Sequence, residues 1–177
     1  RNLLDKAGLL DPLLEEINNQ LAEHGLLIRS GEVSIIDASV IEAKQNRPKK
    51  DKHGNNTQDP EAAYNVKQGS DGKRKTTYGF KAHANVDEDG FIKSYDYTAG
   101  NVHDSQVFEA LLTDHEKEVY ADSAYKSSEH DQLLKKKGTR KRVLDLSCRN
   151  KPLTADQKFS NRMNSGVRSI VERVFGV

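Results

Sequence analysis

The sequence predicts an α/β domain preceded by a helical segment. Strict alternation of apolar and polar residues over Tyr78–Val86 indicates a strand, whereas apolar residues at helical spacing after Thr154 indicate a long helix. A third observation is that strand-like and helix-like segments follow one another along most of the chain, which is typical of α/β proteins. These observations predict a mixed sheet covered by helices.

The composition excludes several classes of protein. The 177 residues are 34% hydrophobic and 31% charged, enough for a core but implying long polar loops. No apolar run approaches the ~18 residues that a membrane helix needs. The one cysteine, Cys148, excludes an internal disulfide and a zinc site built from several cysteines. We therefore expect a cytoplasmic protein without a membrane partner.

The first 31 residues predict a helix. Asp11 and Pro12 fit an N-cap followed by a proline in the first turn, and Gly25 marks the expected end. The apolar residues recur at helical spacing: Leu10, Leu13, Leu14, Ile17 and Leu21. Because the sequence opens on this helix without an initiator methionine, we interpret residues 1–31 as the remnant of an upstream region and residues 32–177 as the main domain.

The next segments predict three strands. Val33–Ile41 is rich in β-branched residues, and Tyr78–Val86 turns back through Asp87–Gly90 into Phe91–Thr98 to complete a hairpin. The alternation places Lys81, His83 and Asn85 on the polar face of that hairpin. Between the first two strands, Lys44–Lys75 is polar, basic and rich in glycine, which predicts a long loop.

The remaining segments alternate between helix and strand. Ser127–Lys137 ends at Gly138, and the last helix opens with a capping box between Thr154 and Gln157. In order they are helix Asp104–Leu112, strand Glu118–Asp122, helix Ser127–Lys137, strand Arg140–Leu146 and the final helix. This element order is that of an RNase H-like mixed sheet: three strands, a helix, a strand, a helix, a strand and a helix. Here it follows an N-terminal helical segment.

Three carboxylates are placed together by that order. In an RNase H-like sheet the first strand lies beside the fourth, so Asp37 and Asp122 converge although 85 positions separate them, and Glu172 on the last helix completes the group. Asp37 stands in an apolar strand, where an unpaired carboxylate is costly. Two alternatives remain open: Asp122 caps the following turn, or Glu172 pairs with Arg168 one helical turn earlier.

Carboxylates without cysteine favour Mg²⁺ or Mn²⁺, which prefer oxygen ligands and leave positions for phosphate oxygens. Two such ions about 3.5–4 Å apart would support an in-line displacement at phosphorus, one activating the attacking oxygen and one stabilising the leaving oxygen. The set Asp37, Asp122 and Glu172 is therefore the predicted metal site and catalytic centre for nucleic acid chemistry. Arg168, on the same face of the last helix as Glu172, is expected to hold a phosphate or to orient Glu172.

The net charge of +1 conceals blocks of alternating sign. Residues 1–43 carry 3 basic and 8 acidic side chains, and residues 85–131 carry 3 and 12. The intervening and following basic blocks, residues 44–81 and 135–151, carry 10 against 4 and 8 against 1. Such blocks fit a protein that binds metal ions through carboxylates and a polyanion through lysine and arginine. The charge pattern by itself is explained equally well by charged surface faces that contact only solvent.

Four ordered motifs resemble the catalytic domain of bacterial DDE transposases of the insertion-sequence-five type, which is related to the insertion-sequence-four type. The resemblance runs from Val33 to the end of the sequence. The motifs are Tyr78–His83 (YGFKAH), Thr98–Ser105 (TAGNVHDS), Val119–Tyr125 (VYADSAY) and Val167–Gly176 (VRSIVERVFG).

The resemblance implies a cut-and-paste transposase. In that family an Asp-Asp-Glu triad binds divalent metal, water attacks a phosphodiester at the end of the element, and the freed 3′-hydroxyl attacks target DNA. By motif, Asp37, Asp122 and Glu172 match the triad and Arg168 matches an arginine common four residues before the glutamate. The partners implied are transposon ends and target duplex, with a multimer expected on DNA and an association with the nucleoid.

The resemblance also bears on the chain's extent and its DNA contacts. Family members commonly carry an upstream DNA-binding region and continue beyond Gly176, so we expect residues 32–177 to be truncated at the C-terminus. Lys81, His83, His103 and Asp104 lie in family motifs; for the last two, helix capping is as good an explanation as substrate contact. Four further residues in basic segments are expected to contact phosphates, against the alternative of a solvated face: Lys73, Lys75, Arg140 and Arg142.

Two other functions remain open. A catalytically silent DNA-binding remnant would keep the fold and the basic segments without productive cleavage. Another RNase H-like nuclease would hydrolyse DNA but would not join a 3′-hydroxyl end to a second duplex.

Overall fold

The structure, a computed structural model, describes residues 6–25, 32–44, 47–68, 72–148 and 151–176. It has two units, Arg1–Ser30 and Gly31–Val177. The first contains helix α1, Leu10–Glu23, whose Leu13 and Ile17 side chains are exposed. Its N-cap is Leu9, so the predicted cap at Asp11 is wrong; Asp11 lies in the first turn, where its charge still complements the helix dipole. Gly25 follows the helix with a φ of 72°, as a terminating glycine does.

Within the described part of Gly31–Val177, six strands form one mixed sheet. They are β1 (Val33–Glu42), β2 (Ala63–Gln68), β3 (Arg74–Val86), β4 (Ile92–Ala99), β5 (Glu118–Ala121) and β6 (Arg140–Val143). The strand order is β2-β3-β1-β5-β6, and β4 also pairs with β3. The β1–β5 and β5–β6 pairs are parallel, whereas β3 runs antiparallel to β1, β2 and β4. The predicted mixed α/β class is confirmed.

The helices of this unit lie between and after the strands. They are the short helix α2 (Phe108–Leu111), which follows a 3₁₀ turn over Asp104–Val107, then α3 (Ser128–Lys137) and α4 (Ala155–Val174). The predicted Gly138 stop and Thr154–Gln157 capping box are confirmed, and Ser127, predicted as the first residue of its helix, is the N-cap. Among the described residues, no helix has both the length and the apolar content that crossing a membrane requires.

The predicted loop Lys44–Lys75 is wrong in its second half, because β2 lies there and β3 begins at Arg74 instead of Tyr78. Strand β2 pairs antiparallel with the first half of β3, from Ala63 opposite Gly79 to Gln68 opposite Arg74. Both strands are mostly polar and exposed at this end, so their composition resembles that of a loop. Other boundaries shift less; the predicted strand Arg140–Leu146 ends at Val143.

The two faces of the sheet are covered by different helices. Successive residues of a strand point to opposite faces, and in β1 Ile35 belongs to a core cluster with Val171 of α4, whereas Ile36 belongs to a cluster with Phe108 and Leu134 of α2 and α3. All five side chains are buried. The burial of both faces explains the consecutive apolar residues Ile35 and Ile36 in β1.

The parallel pair β1–β5 positions the candidate site. Its register sets Ile36 opposite Ala121, so that Asp37 and Asp122 each follow the last paired residue of their strand. The predicted element order also requires β1 to lie beside the strand that begins at Glu118, which is β5.

Candidate active site

Asp37 and Asp122 converge at the end of the β1–β5 pair. They hold equivalent positions in neighbouring parallel strands, and the negative charge of Asp122 contributes to a raised pKa at Asp37. Burial of Asp37 is the largest cause of that rise. Two carboxylates in this arrangement disfavour each other's ionised form, and a cation relieves that repulsion.

Arg168 of α4 forms an ion pair with Asp37. Its Nη2 donates to Asp37 Oδ2 at 2.9 Å, and the arginine is only 8% exposed. The guanidinium opposes the rise in the pKa of Asp37 without cancelling it. Arg168 Nε is buried and has no hydrogen-bond partner among the described residues. The predicted alternative in which Arg168 pairs with Glu172 is therefore not what the structure shows.

Asp122 caps the next turn, one of the two roles that its position allowed. Its Oδ1 accepts hydrogen bonds from the Ser123 backbone N–H at 2.6 Å and from Ser123 Oγ at 3.2 Å, at the start of the 3₁₀ turn Ser123–Tyr125. These bonds fix the orientation of the carboxylate. Capping and metal binding are compatible, since a carboxylate has several acceptor positions.

Glu172 lies on α4 one turn beyond Arg168 and is exposed. It lines a cavity of about 370 Å³ together with Asp37. The structure thus brings Asp37 near Asp122 by strand register and near Glu172 by a shared cavity. Even so, the described residues contain no group of three or more His, Cys, Asp or Glu side chains close enough together to hold a metal ion.

The donor set nevertheless fits a divalent cation. Carboxylate oxygens are the ligands that Mg²⁺ and Mn²⁺ prefer. Burial is the main cause of the raised pKa of Asp37, Arg168 lowers it, and the charge of Asp122 adds a smaller rise, so a cation at this position would favour the ionised form of Asp37. The three predicted carboxylates are on one side of the sheet, the side that α4 covers.

Two lysines also belong to the lining of the cavity, which includes the carboxylate of Glu42 as well. Lys67 and Lys75 line it, along with Asn65 and Thr77, all from the paired strands β2 and β3. Lys67 was not among the predicted site residues, because the segment that forms β2 was predicted as a loop. The alternation of Tyr64 and Val66 with polar residues, followed by glycine, is the signal that could have revealed it.

Lys81 and His83 are buried, which does not fit their expected contact with DNA. Lys81 Nζ donates to Asp104 Oδ1 at 2.7 Å and to the Val102 carbonyl at 2.6 Å. His83 is 1% exposed, its Nε2 lies 2.9 Å from Thr98 Oγ1, and burial lowers its pKa. Lys81 thus holds the β3–β4 hairpin against the segment that follows it, and His83 links the two strands of the hairpin.

The remaining predicted residues have mixed surroundings. His103 caps the 3₁₀ turn through its ring Nδ1, which accepts from the Ser105 N–H at 3.3 Å, and Asp104 pairs with Lys81. Arg140 and Arg142 of β6 both contact Glu118, at 3.2 Å and 3.4 Å. Lys73 and Lys75 are exposed.

Comparison with known proteins assigns the family. Residues 28–177 match the model of the family described as the transposase DDE domain. The chain belongs to this family. This DDE domain is 31% identical, over 188 aligned positions, to the transposase for insertion sequence element IS1106 from Neisseria meningitidis serogroup B.

That alignment covers 99% of the DDE domain chain and 64% of the relative, so the chain spans about 64% of the length of the curated relative that it matches. No solved structure matches the DDE domain chain. Membership of a bacterial DDE transposase family is thereby confirmed, while the insertion-sequence-five type stays a prediction.

Proposed function

We propose that this DDE domain catalyses metal-dependent cleavage of DNA strands and transfers the resulting 3′-hydroxyl end to target DNA, which moves an insertion sequence by a cut-and-paste route. The observation that carries the proposal is the convergence of Asp37 and Asp122 at the ends of parallel strands β1 and β5, on the face covered by the helix that bears Glu172. The mixed sheet and family membership support an RNase H-like arrangement.

In this proposal Asp37, Asp122 and Glu172 hold divalent metal, two ions of Mg²⁺ or Mn²⁺. When bound, such ions activate an attacking oxygen and stabilise a leaving oxygen at phosphorus. The protein's own contribution is to prepare the ligands. Arg168 favours ionisation of Asp37 against the effect of burial, and the Ser123 N–H orients Asp122.

The basic side chains differ in exposure. Lys73, Lys75 and Arg140 are exposed, so we retain them as proposed phosphate contacts, whereas Arg142 is half-buried. Glu118 contacts both Arg140 and Arg142 and balances part of the charge of each. Lys81 and His83 become positioning residues because they are buried. Double-stranded DNA is the proposed partner; assembly of a multimer on DNA and a location in the cytoplasm at the nucleoid stay predictions.

The proposal is tested by calorimetric titration of Mn²⁺ into the parent chain, Asp122→Asn and the control Asp89→Asn, which removes an exposed charge from the β3–β4 turn. We expect the parent and the control to bind Mn²⁺ and Asp122→Asn to lose that binding. Equal binding by all three would place the metal elsewhere. Absence of binding even with duplex DNA present would refute a competent metal site in this chain.

One observation favours a second candidate, the catalytically silent DNA-binding remnant. Arg168 forms an ion pair with Asp37, and the described carboxylates do not lie close enough together to form a preformed metal site. A strand-transfer assay with an oligonucleotide bearing a free 3′-hydroxyl discriminates the candidates. A transposase joins that end to a second duplex, a nuclease only hydrolyses, and a silent remnant does neither.

A further inference from the structure

The paired strands β2 and β3 form a basic ribbon that extends the sheet beyond β1. Strand β3 pairs with β1 only from Gly79 onward, whereas its earlier residues pair with β2. On one face of this ribbon, Asn65 lies opposite Thr77 and Lys67 lies opposite Lys75. These four residues all line the cavity that Asp37 and Glu172 also line.

The Lys67–Lys75 pair is unfavourable in the protein alone. Like charges directly opposite each other on neighbouring strands repel, because their Cβ atoms are only about 4.5–5.5 Å apart. Within the described residues, neither ammonium group forms an ion pair that would relieve this repulsion. An anion lying between the two lysines would neutralise both, and the Asn65 and Thr77 side chains beside them can donate further hydrogen bonds.

The strand register separates Asp37 from the two lysines along the cavity: Asp37 lies opposite Ala84 of β3, whereas Lys67 and Lys75 lie beyond Gly79. The part at Asp37 and Glu172 is the acidic end, where metal ions and the reacting phosphate belong in the proposed function. A third carboxylate of the lining, Glu42, stands opposite Gly79. A DNA strand presents phosphates in series, so a strand with one phosphate at the acidic end carries others along the ribbon. A metabolite with one phosphate would not need a second anion site displaced along the cavity.

We propose that Lys67 and Lys75 bind backbone phosphates of the DNA strand that carries the reacting phosphodiester, and so set the path of that strand across the ribbon. This inference rests on the proposed function, which it deepens. Lys67 and Lys75 are positioning residues in it, since they touch the strand away from the reacting atoms.

The test measures binding of a fluorescent random-sequence duplex by anisotropy across a series of salt concentrations, without metal. Lys67→Gln/Lys75→Gln is compared with Lys117→Gln/Lys137→Gln, which removes the same charge from lysines that pair with Glu32 and Asp114. Each lost phosphate contact lowers the slope of log K against log salt by about 0.9. We expect the ribbon variant to lose about 1.8 in slope and about tenfold in affinity at low salt, and the control to keep its slope. Equal slopes in both variants would overturn the inference.

Thermal unfolding of the Lys75→Thr variant distinguishes a role of Lys75 in DNA binding from a role in the stability of the fold. Threonine is a good strand former and removes the like-charge repulsion, so the Tm should stay equal or rise by up to about 2 °C while DNA affinity falls. A lower Tm with unchanged DNA affinity would contradict the inference.

Failure of the inference and failure of the proposed function give different results. A ribbon variant with the reduced salt slope, in a parent that shows no Mn²⁺-dependent strand cleavage, supports the phosphate site and refutes the catalytic proposal. Strand cleavage by the parent together with an unchanged salt slope in the ribbon variant supports the catalytic proposal and refutes the phosphate site.

Discussion

At the scale of single residues, buried charges hold the β3–β4 hairpin and the start of β1 in place. Lys81 bridges from β3 to Asp104 and the Val102 carbonyl, and the lysine is almost fully buried. Removing one partner of such a pair leaves the other charge buried and unpaired, which costs far more than an exposed ion pair contributes.

We predict that Lys81→Met lowers the free energy of unfolding by about 3 kcal/mol, measured by urea denaturation, because Asp104 and the Val102 carbonyl lose their donor. The double variant Lys81→Met/Asp104→Leu should recover part of that loss, since it removes the stranded carboxylate. Unchanged stability together with a loss of DNA affinity would restore the original expectation that Lys81 contacts DNA.

Glu116 organises a second buried cluster. Its carboxylate accepts from the Thr113 N–H, the Thr113 hydroxyl and Ser34 Oγ, and Lys93 donates to the same serine at 2.8 Å. Burial pushes the pKa of Glu116 upward, but hydrogen bonds from Thr113 and the charge of Lys93 outweigh it, so the pKa is lowered. The ionised form therefore stabilises the fold above the ordinary pKa of glutamate, and this stabilisation is lost as the pH falls through the folded-state value.

We predict that Glu116→Gln reduces the free energy of unfolding at pH 7 by about 1–2 kcal/mol, because a neutral amide replaces a carboxylate that accepts several bonds. As the pH falls below the ordinary pKa of glutamate, the parent should lose stability more steeply than the variant, because only the parent has this carboxylate to protonate. Denaturation curves at a series of pH values check both effects. Parallel pH profiles would show that folding does not shift the pKa of Glu116, and would contradict the prediction.

The sequence predicted some of these residues better than others. Asp37 was identifiable because a carboxylate in an apolar strand is costly unless a cation or metal compensates it. Its pairing with Arg168 was not, since the match depends on the rotation and position of α4 on the sheet. Lys81 and His83 were assigned to a polar face, but the sequence does not show that the segment after β4 covers that face.

At the scale of elements, the Gly138 and Thr154 signals and the β3–β4 hairpin were predicted correctly, whereas the cap at Asp11 and strand β2 were not. Capping at Gly138 and Thr154 was readable because it involves neighbours in the sequence. Strand β2 was missed because its stability comes from pairing with β3, not from its own composition.

Gly79 is the point at which several elements meet. It lies opposite Glu42 of β1 and Ala63 of β2, and its carbonyl accepts from the Gly100 N–H at 3.0 Å. A Cβ at this position would lie 2.0 Å from the backbone oxygen of Ile41, so no side chain fits.

We predict that Gly79→Ala lowers the free energy of unfolding by about 2–4 kcal/mol, because backbone atoms of β1 must move away. Gly166→Ala is the matched control: a Cβ there meets nothing within 4 Å, and alanine in the helix interior should raise stability by about 0.5–1 kcal/mol. Chemical denaturation of the two variants checks both signs. Equal destabilisation would mean that close packing at Gly79 is not the cause.

At the scale of the whole molecule, the proposed metal-binding carboxylates and the proposed phosphate-binding lysines lie on different elements. The proposed metal ligands lie on β1, after β5 and on α4, whereas the exposed lysines of the ribbon belong to β2 and β3. In the proposed function, affinity for DNA phosphates depends on the basic groups and strand chemistry depends on the carboxylates.

We therefore predict that Glu172→Gln abolishes Mn²⁺-dependent strand cleavage but leaves nonspecific duplex affinity within about threefold of the parent, or slightly tighter because a negative charge is removed. A gel assay of strand nicking and an anisotropy titration measure the two properties. A parallel fall of activity and DNA affinity would contradict this division.

The order of the carboxylates along the chain has a consequence during protein synthesis. Asp37 is made early, Asp122 only with the end of β5, and Glu172 near the end of α4. A ribosome that stalls inside the domain, or a protease that removes α4, therefore releases a fragment without the complete set. In the proposed function, an enzyme that cuts chromosomal DNA is assembled only after its last helix has been translated, so unfinished copies are harmless to the genome that encodes them.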